Sequence, residues 1–301
     1  MVHMDASAET ILEGLDDAQR AAATTVNGPV RIIAGAGAGK TRTVTRRNRL
    51  CMRHRRMGST ACTRRDLLRK GRSGNAFQTV ATRSRRRGQG RNVPFRGTAS
   101  IRRVWPDLCE GPFPHISRQP RELVARSLRR VTTMQVDDET VRNLQAEINW
   151  CKISLVAPND YQRVCAATHR QPPAGLEPDQ FTDVYQAYET EKTARGEIDF
   201  DDILLIACHV LESYDEASAA IRSSIGWLTV DEYQDVSPLQ HRLLTRWLSG
   251  NRNICVVGDP AQTIYSFAGA SSYSLLDFAG EFGPLSADIS LNRDYRSTPQ
   301  I

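Results

Sequence analysis

Apolar residues along this chain fall into two rhythms. Val30–Ala34, Trp227–Val230 and Ile254–Gly258 are short runs rich in β-branched residues, each ending at glycine or at acidic residues. Runs that short predict buried parallel strands whose C-terminal ends carry a site. A helical rhythm lies elsewhere. Val141, Leu144, Ile148 and Cys151 recur at steps of three and four behind acidic capping residues, which predicts a helix over 137–155. Residues 181–188 and 203–211 also read as helical, and 15–25 as a short helix beginning near Asp16. The predicted fold class is α/β, a parallel sheet with a helical insertion, and no internal repeat is visible.

Length and composition narrow the class. A chain of 301 residues with 40% apolar content can bury a substantial core and is expected to form two domains. No apolar run is long enough for a membrane helix, and Met1–Glu13 lacks the basic start and apolar stretch of a secretory signal. Seven cysteines without a CxxC pair fit reduced thiols in the cytoplasm better than a disulfide frame or a zinc site.

The chemistry sits at the ends of the apolar runs. Ala34-Gly35-Ala36-Gly37-Ala38-Gly39-Lys40-Thr41 follows the first strand and opens a helix. In such a turn backbone N–H groups close around phosphates, Lys40 reaches the β/γ-phosphates, and the Thr41 hydroxyl serves Mg²⁺. The strict pattern starts with glycine, where this chain has Ala34. Asp231 and Glu232 follow the second strand, where one carboxylate can hold Mg²⁺ and the other orient the attacking water. Taken alone, such a pair is as often a solvated loop. After the third strand, Gln262 can sense a γ-phosphate, while Tyr265 and Phe267 offer faces for unpaired bases or for core packing. Arg296 could neutralise charge on a transferring phosphoryl group, although alone it reads as a surface arginine.

Taken in order, Leu15-Asp16-Asp17-Ala18-Gln19, the 34–42 loop, Asp199-Phe200-Asp201-Asp202-Ile203-Leu204, the Val230–Asp235 acids, residues 256–270 and residues 291–300 resemble the UvrD/Rep/PcrA group of superfamily 1 DNA helicases, above all its actinobacterial branch. The resemblance implies a RecA-like P-loop fold and an ATP-dependent 3′–5′ helicase of DNA repair or replication. Its cofactors would be ATP and Mg²⁺, and its partners single-stranded DNA and duplex with a 3′ tail. Gln19 would recognise adenine and Arg42 lie beside the base. Ala34, Gly35, Ala36, Gly37, Ala38, Gly39, Lys40 and Thr41 would hold the phosphates, and Tyr295 would stack on the base. Thr41 and Asp231 would serve the metal, Glu232 the water, Gln262 the coupling, and Arg296 the transition state. Tyr265 and Phe267 would meet DNA, with Phe267 standing where the family commonly has Trp.

One stretch breaks the pattern. Residues 42–103 carry 19 Arg and one Lys against a single acid, Asp66, so the rest of the chain has 20 basic and 33 acidic residues and the overall net of +6 comes from this block. The basic balance is therefore poor grounds for a nucleic-acid surface. Two family motifs that touch single-stranded DNA, roughly Thr-Phe-Thr-x-Lys-Ala-Ala and Thr-Phe-His, are missing from it. Both can be recovered one nucleotide along: permitted codons for residues 64–77 give Ala-Val-Thr-Phe-Ser-Ala-Lys-Ala-Ala-Ala-Glu-Met-Arg, and those for 92–100 give Thr-Phe-His-Ser-Ala-Ala-Leu-Arg. This reading places compensating frameshifts near 47–51 and 101–105, and expects 42–103 to be disordered or poorly packed.

The expected organisation is 1–47 as the first part of the sheet domain, 48–104 out of frame, 105–190 as the helical insertion, 191–285 as the second part, and 286–301 as the start of a truncated second motor domain. Such a fragment is expected to contact nucleotide and not to unwind alone. The competing readings are an inactive decayed or misread fragment and a nucleic-acid-binding module built on the basic block.

Overall fold

The strands of the computed structural model are β1 (Val30–Ala34), β2 (His115–Ile116), β3 (Glu197–Ile198), β4 (Leu228–Val230), β5 (Ile254–Gly258) and β6 (Ala287–Leu291). The structure describes residues 6–57, 101–102, 104–223, 225–262 and 272–295. β4, β5, β1 and β6 lie side by side in that order, every pairing parallel. The sequence explains the order. β5 is apolar throughout and every residue is buried, as suits a strand covered on both faces, whereas β6 alternates buried-side and exposed residues. The three strands expected from apolar runs are present, with the second beginning at Leu228 rather than Trp227.

Two compact units make up the chain. The sheet unit comprises 1–95, 214–236 and 244–301, and the helical unit 96–213 and 237–243. The helical unit thus runs past the expected boundary at 190, and the Asp199–Leu204 run lies within it. Its core gathers Leu123, Leu128, Leu144, Ile148, Phe181 and Tyr188 from helices Pro120–Val131, Asp138–Ile153 and Pro178–Ala194. The expected helix over 137–155 forms as Asp138–Ile153, with Asp137 accepting the Thr140 N–H at 2.8 Å as its cap. The expected helices over 181–188 and 203–211 lie inside Pro178–Ala194 and Phe200–Ser213.

The boundary at 286 also moves. β6 belongs to the same sheet as β1, and a bidentate Arg31–Asp288 pair joins the two strands at 2.9 and 2.6 Å between residues in register.

The largest departure is in the basic block. Residues expected to be disordered or poorly packed form a helix, Lys40–Met57. Val44, Arg47, Asn48 and Cys51 follow the i, i+3, i+4, i+7 spacing of one buried face. Arg47 is accommodated because its stem packs inside while its guanidinium donates to the carbonyl oxygens of Ala22, Thr25 and Val26 at the end of helix Asp17–Thr24. Asn48 accepts the Thr229 hydroxyl of β4 at 3.0 Å. Residues 58–100 lie outside the described residues.

Candidate nucleotide site

The C-terminal ends of β1, β4 and β5 converge on one patch of chemistry in the sheet unit. β1 ends at Ala34, which is buried as a strand residue, so the loop begins at Gly35 and needs no glycine at 34. Gly37 and Gly39 take left-handed backbones with φ of 77° and 78°. Gly39 is constrained twice, since a Cβ there would stand 2.5 Å from the Gln19 amide nitrogen. Gln19 is fully buried and donates to the Ala38 carbonyl at 3.2 Å. It therefore underlies the loop directly.

Gln19 is placed by its own helix end. Asp16 caps helix Asp17–Thr24, accepting the Gln19 N–H at 2.8 Å, while the Gln19 side chain returns to the Asp16 N–H. The other Asp16 oxygen accepts the Tyr295 hydroxyl. Burial opposes ionisation of Asp16, but the Gln19 N–H and the Tyr295 hydroxyl hold its carboxyl below the usual aspartate value. The same bond holds the Tyr295 phenol above its ordinary value. Tyr295 also donates its N–H to the Gly37 carbonyl at 3.1 Å, and the Arg293 guanidinium lies 5.2 Å from its ring. Arg42, exposed on the first turn of helix Lys40–Met57, packs against Gly14.

Across the loop, Lys40 Nζ stands 3.6 Å from Glu232 Oε2. Asp231 is buried at the end of β4 and accepts the Glu232 N–H at 3.0 Å. Glu232 has a left-handed backbone, φ 52°, an uncommon conformation for a residue with a side chain. Its carboxylate accepts the Gln234 amide at 2.9 Å, and Gln234 accepts the Asp259 N–H at 3.0 Å. Asp259, at the end of β5, accepts the Gln262 amide at 2.7 Å.

The structure thus brings Gln19, Ala34 at the end of β1, the 35–39 loop, Lys40, Asp231, Glu232, Gln262 and Tyr295 into one unit, with Thr41 on the first turn of the helix after the loop. Tyr265, Phe267 and Arg296 lie outside the described residues. Sequence reasoning made Asp16 only the start of a helix and assigned no role to Gln234 or Asp259. The spacing Asp16-x-x-Gln19 is a capping-box signal; Gln234 carries no comparable signal, because its partner Asp259 is on another strand.

The donor set suits a magnesium nucleotide: a positive-φ glycine loop, one lysine, and two adjacent carboxylates at a strand end. Among the described residues no helix is long and apolar enough to cross a membrane.

Known proteins point the same way. The family model of the UvrD/REP helicase N-terminal domain matches residues 15–61 and 97–283. The chain is 37% identical over 309 aligned positions to the ATP-dependent DNA helicase UvrD2 of Mycobacterium tuberculosis, covering 99% of this chain and 43% of that protein. It is 26% identical to the ATP-dependent DNA helicases PcrA of Leuconostoc citreum and Bacillus subtilis, covering 98% and 97% of this chain and 39% of each relative. It spans less than half the length of these curated relatives. The chain belongs to the UvrD/REP helicase family, through that family's N-terminal domain.

Proposed function

We propose that this chain carries the ATP-binding half of a 3′–5′ DNA helicase motor, a RecA-like P-loop domain with a helical insertion, working in the cytoplasm in DNA repair or replication. The observation that carries the reading is Lys40 facing Glu232 at 3.6 Å across the ends of β1 and β4. Gln19 and Tyr295 take the adenine, with Arg42 beside it. The Gly35–Gly39 backbone and Lys40 take the phosphates. Thr41 and Asp231 hold Mg²⁺, which when bound neutralises phosphate charge. Glu232 orients and deprotonates the attacking water. Gln262 couples the nucleotide to the DNA segment, where Tyr265 and Phe267 meet unpaired bases, and Arg296 neutralises the transferring phosphoryl group. These last three roles rest on sequence alone.

The first test is ligand-linked stability. A nucleotide that binds only the folded state raises its stability by RT ln(1 + [L]/Kd), about 2.7 kcal/mol at a hundredfold excess over Kd. Mg-ATP should raise the melting temperature of residues 1–301, and Lys40→Ala should abolish the rise without lowering the ligand-free melt. An unchanged wild-type melt across millimolar Mg-ATP would overturn the reading. We propose that the chain by itself displaces no strand from a 3′-tailed duplex, and ATP-driven unwinding would reverse that expectation.

A second reading concerns residues 48–104, taken as translated out of frame. Support comes from the family match, which stops at 61 and resumes at 97. The gap is narrower than 48–104, and the packed helix through Cys51 favours a first junction at the late end of the 47–51 window. The coding DNA decides it: a +1 frame without the two missing motifs refutes the idea.

A further inference from the structure

We infer that Gln234 is a positioning residue that ties the Glu232 carboxylate to the end of β5, so that the backbone at Asp259 fixes how the water-activating group is aimed. The inference rests on the ATP-site reading above and extends it to a residue with no assigned role.

Three observations carry it. First, the side-chain amide is used at both ends, donating to Glu232 Oε2 at 2.9 Å and accepting the Asp259 N–H at 3.0 Å. Its orientation is forced: the flipped amide would set its NH₂ against an N–H donor and its oxygen against a carboxylate. Second, Gln234 is 1% exposed, so water cannot replace either bond. Third, the neighbouring backbone leaves it room only with glycine. A Cβ at Gly258 would stand 2.5 Å from Gln234 Oε1 and 2.8 Å from Leu275 Cδ2.

The connection continues on both sides. Glu232 faces Lys40, and Asp259 accepts both the Ala261 N–H at 3.0 Å and the Gln262 amide at 2.7 Å. A shift of residues 259–262 therefore pulls on the Asp259 N–H, turns the Gln234 amide, and re-aims Glu232 without altering any phosphate contact. Gln234 touches no phosphate-loop residue in these bonds, so its effect should fall on turnover rather than on nucleotide affinity.

The experiment compares wild-type 1–301 with Gln234→Met, which keeps length and volume, and Gln234→Glu, measuring ATP hydrolysis, nucleotide affinity and thermal melting. Misaiming a catalytic group by about 1 Å can cost on the order of 100-fold, so Gln234→Met should lower kcat by about 10- to 100-fold with KM and nucleotide affinity within about twofold. Gln234→Glu can still accept the Asp259 N–H but sets a carboxylate against the Glu232 carboxylate, so it should lose kcat at least as steeply as Gln234→Met, with KM and nucleotide affinity again within about twofold. If the variants lose kcat and affinity together, in proportion to their melting temperatures, Gln234 is only structural and the inference falls. A Gln234→Glu variant that keeps wild-type kcat also overturns it. A wild-type chain that binds no nucleotide overturns the site reading itself, a separate result from either of these.

Discussion

In the sheet unit, Lys40 and Glu232 keep 14% and 22% of their side-chain exposure and meet at 3.6 Å, too far for a hydrogen bond. In the helical unit, Lys152 and Lys192 keep 2% and 3% and are surrounded by carboxylates. Lys152 donates to Asp199 and Asp202, and reaches Glu189 at 2.8 Å; Lys192 reaches Asp202 at 2.6 Å and Asp199 at 3.1 Å. Asp199 and Asp202 each accept the other's backbone N–H, at 2.8 and 2.9 Å, and Tyr188 donates to Asp199 at 3.1 Å. Glu189, Asp199 and Asp202 have the closeness of a metal site, within 4.8 Å, yet two ammonium groups already fill that role. Depth of burial alone therefore does not single out the charges of the proposed nucleotide site. The helical cluster is deeper and internally matched, which suits a fixed joint between helices Asp138–Ile153, Pro178–Ala194 and Phe200–Ser213. The sheet-unit pair is shallower and loosely matched, which suits charges that change partners.

The sharpest way to break that contrast is Lys152→Met. Removing one member of a buried ion cluster leaves carboxylates without a counter-charge and costs about 3–5 kcal/mol. Denaturant unfolding should show that loss, while nucleotide affinity below the new melting point stays near wild type. A variant that keeps its stability but loses nucleotide affinity would place the helical cluster among the functional charges after all.

Titration separates Asp199, inside the cluster, from its chain neighbour Asp201. Burial opposes ionisation of Asp199, but Lys152 and Lys192 hold its carboxyl well below the usual value. A carboxyl depressed on folding adds stability above its ordinary value near 3.8 and loses it as the pH falls. Asp201 behaves oppositely. Burial first, then the neighbouring Asp199, pushes it up to about 7, so its ionisation opposes folding progressively as the pH rises from near 3.8 to about 7. Asp201→Asn should thus stabilise the chain at pH 8 by roughly 1–2 kcal/mol and change little at pH 4. Equal stabilisation at both pH values would show that Asp201 does not titrate in this range.

How much of this could be read in the sequence differs between the regions too. The sheet unit was legible because local signals coincide there: β-branched runs predicted β1 and β5, and glycine and acidic residues follow β1 and β4 directly. The helix over 138–153 was legible from its spacing and its cap. The fate of Arg47 was not, because an arginine in a basic run reads as solvated. Its burial depends on three carbonyl groups at the end of another helix, which no local pattern announces. The place of β6 failed similarly, since its Arg31–Asp288 partner lies 257 residues away. Gln234 and the lysine–carboxylate cluster share that cause. Their meaning comes from tertiary partners, whereas the strand-end motifs carry theirs within a few residues.

The smallest expected effect tests the exposed edge of the sheet-unit site. Asp16 uses one oxygen to cap helix Asp17–Thr24 and the other to hold the Tyr295 hydroxyl. Asp16→Asn keeps a good cap and loses the charge-assisted bond, so stability should stay within about 0.5 kcal/mol of wild type. If Tyr295 stacks on the base, loosening its ring should weaken nucleotide binding by about threefold, less than 1 kcal/mol. Tyr295→Phe removes the same bond from the other side and should give a loss of the same size. Because both remove one interaction, the double variant should bind no more weakly than either single one. Additive losses would mean that Asp16 and Tyr295 act separately, and the exposed edge would then be two contacts rather than one coupled element. Asp16→Ala is the control: it also removes the cap and should cost about 1 kcal/mol in stability. That separates the helix-end role of Asp16 from its hold on Tyr295.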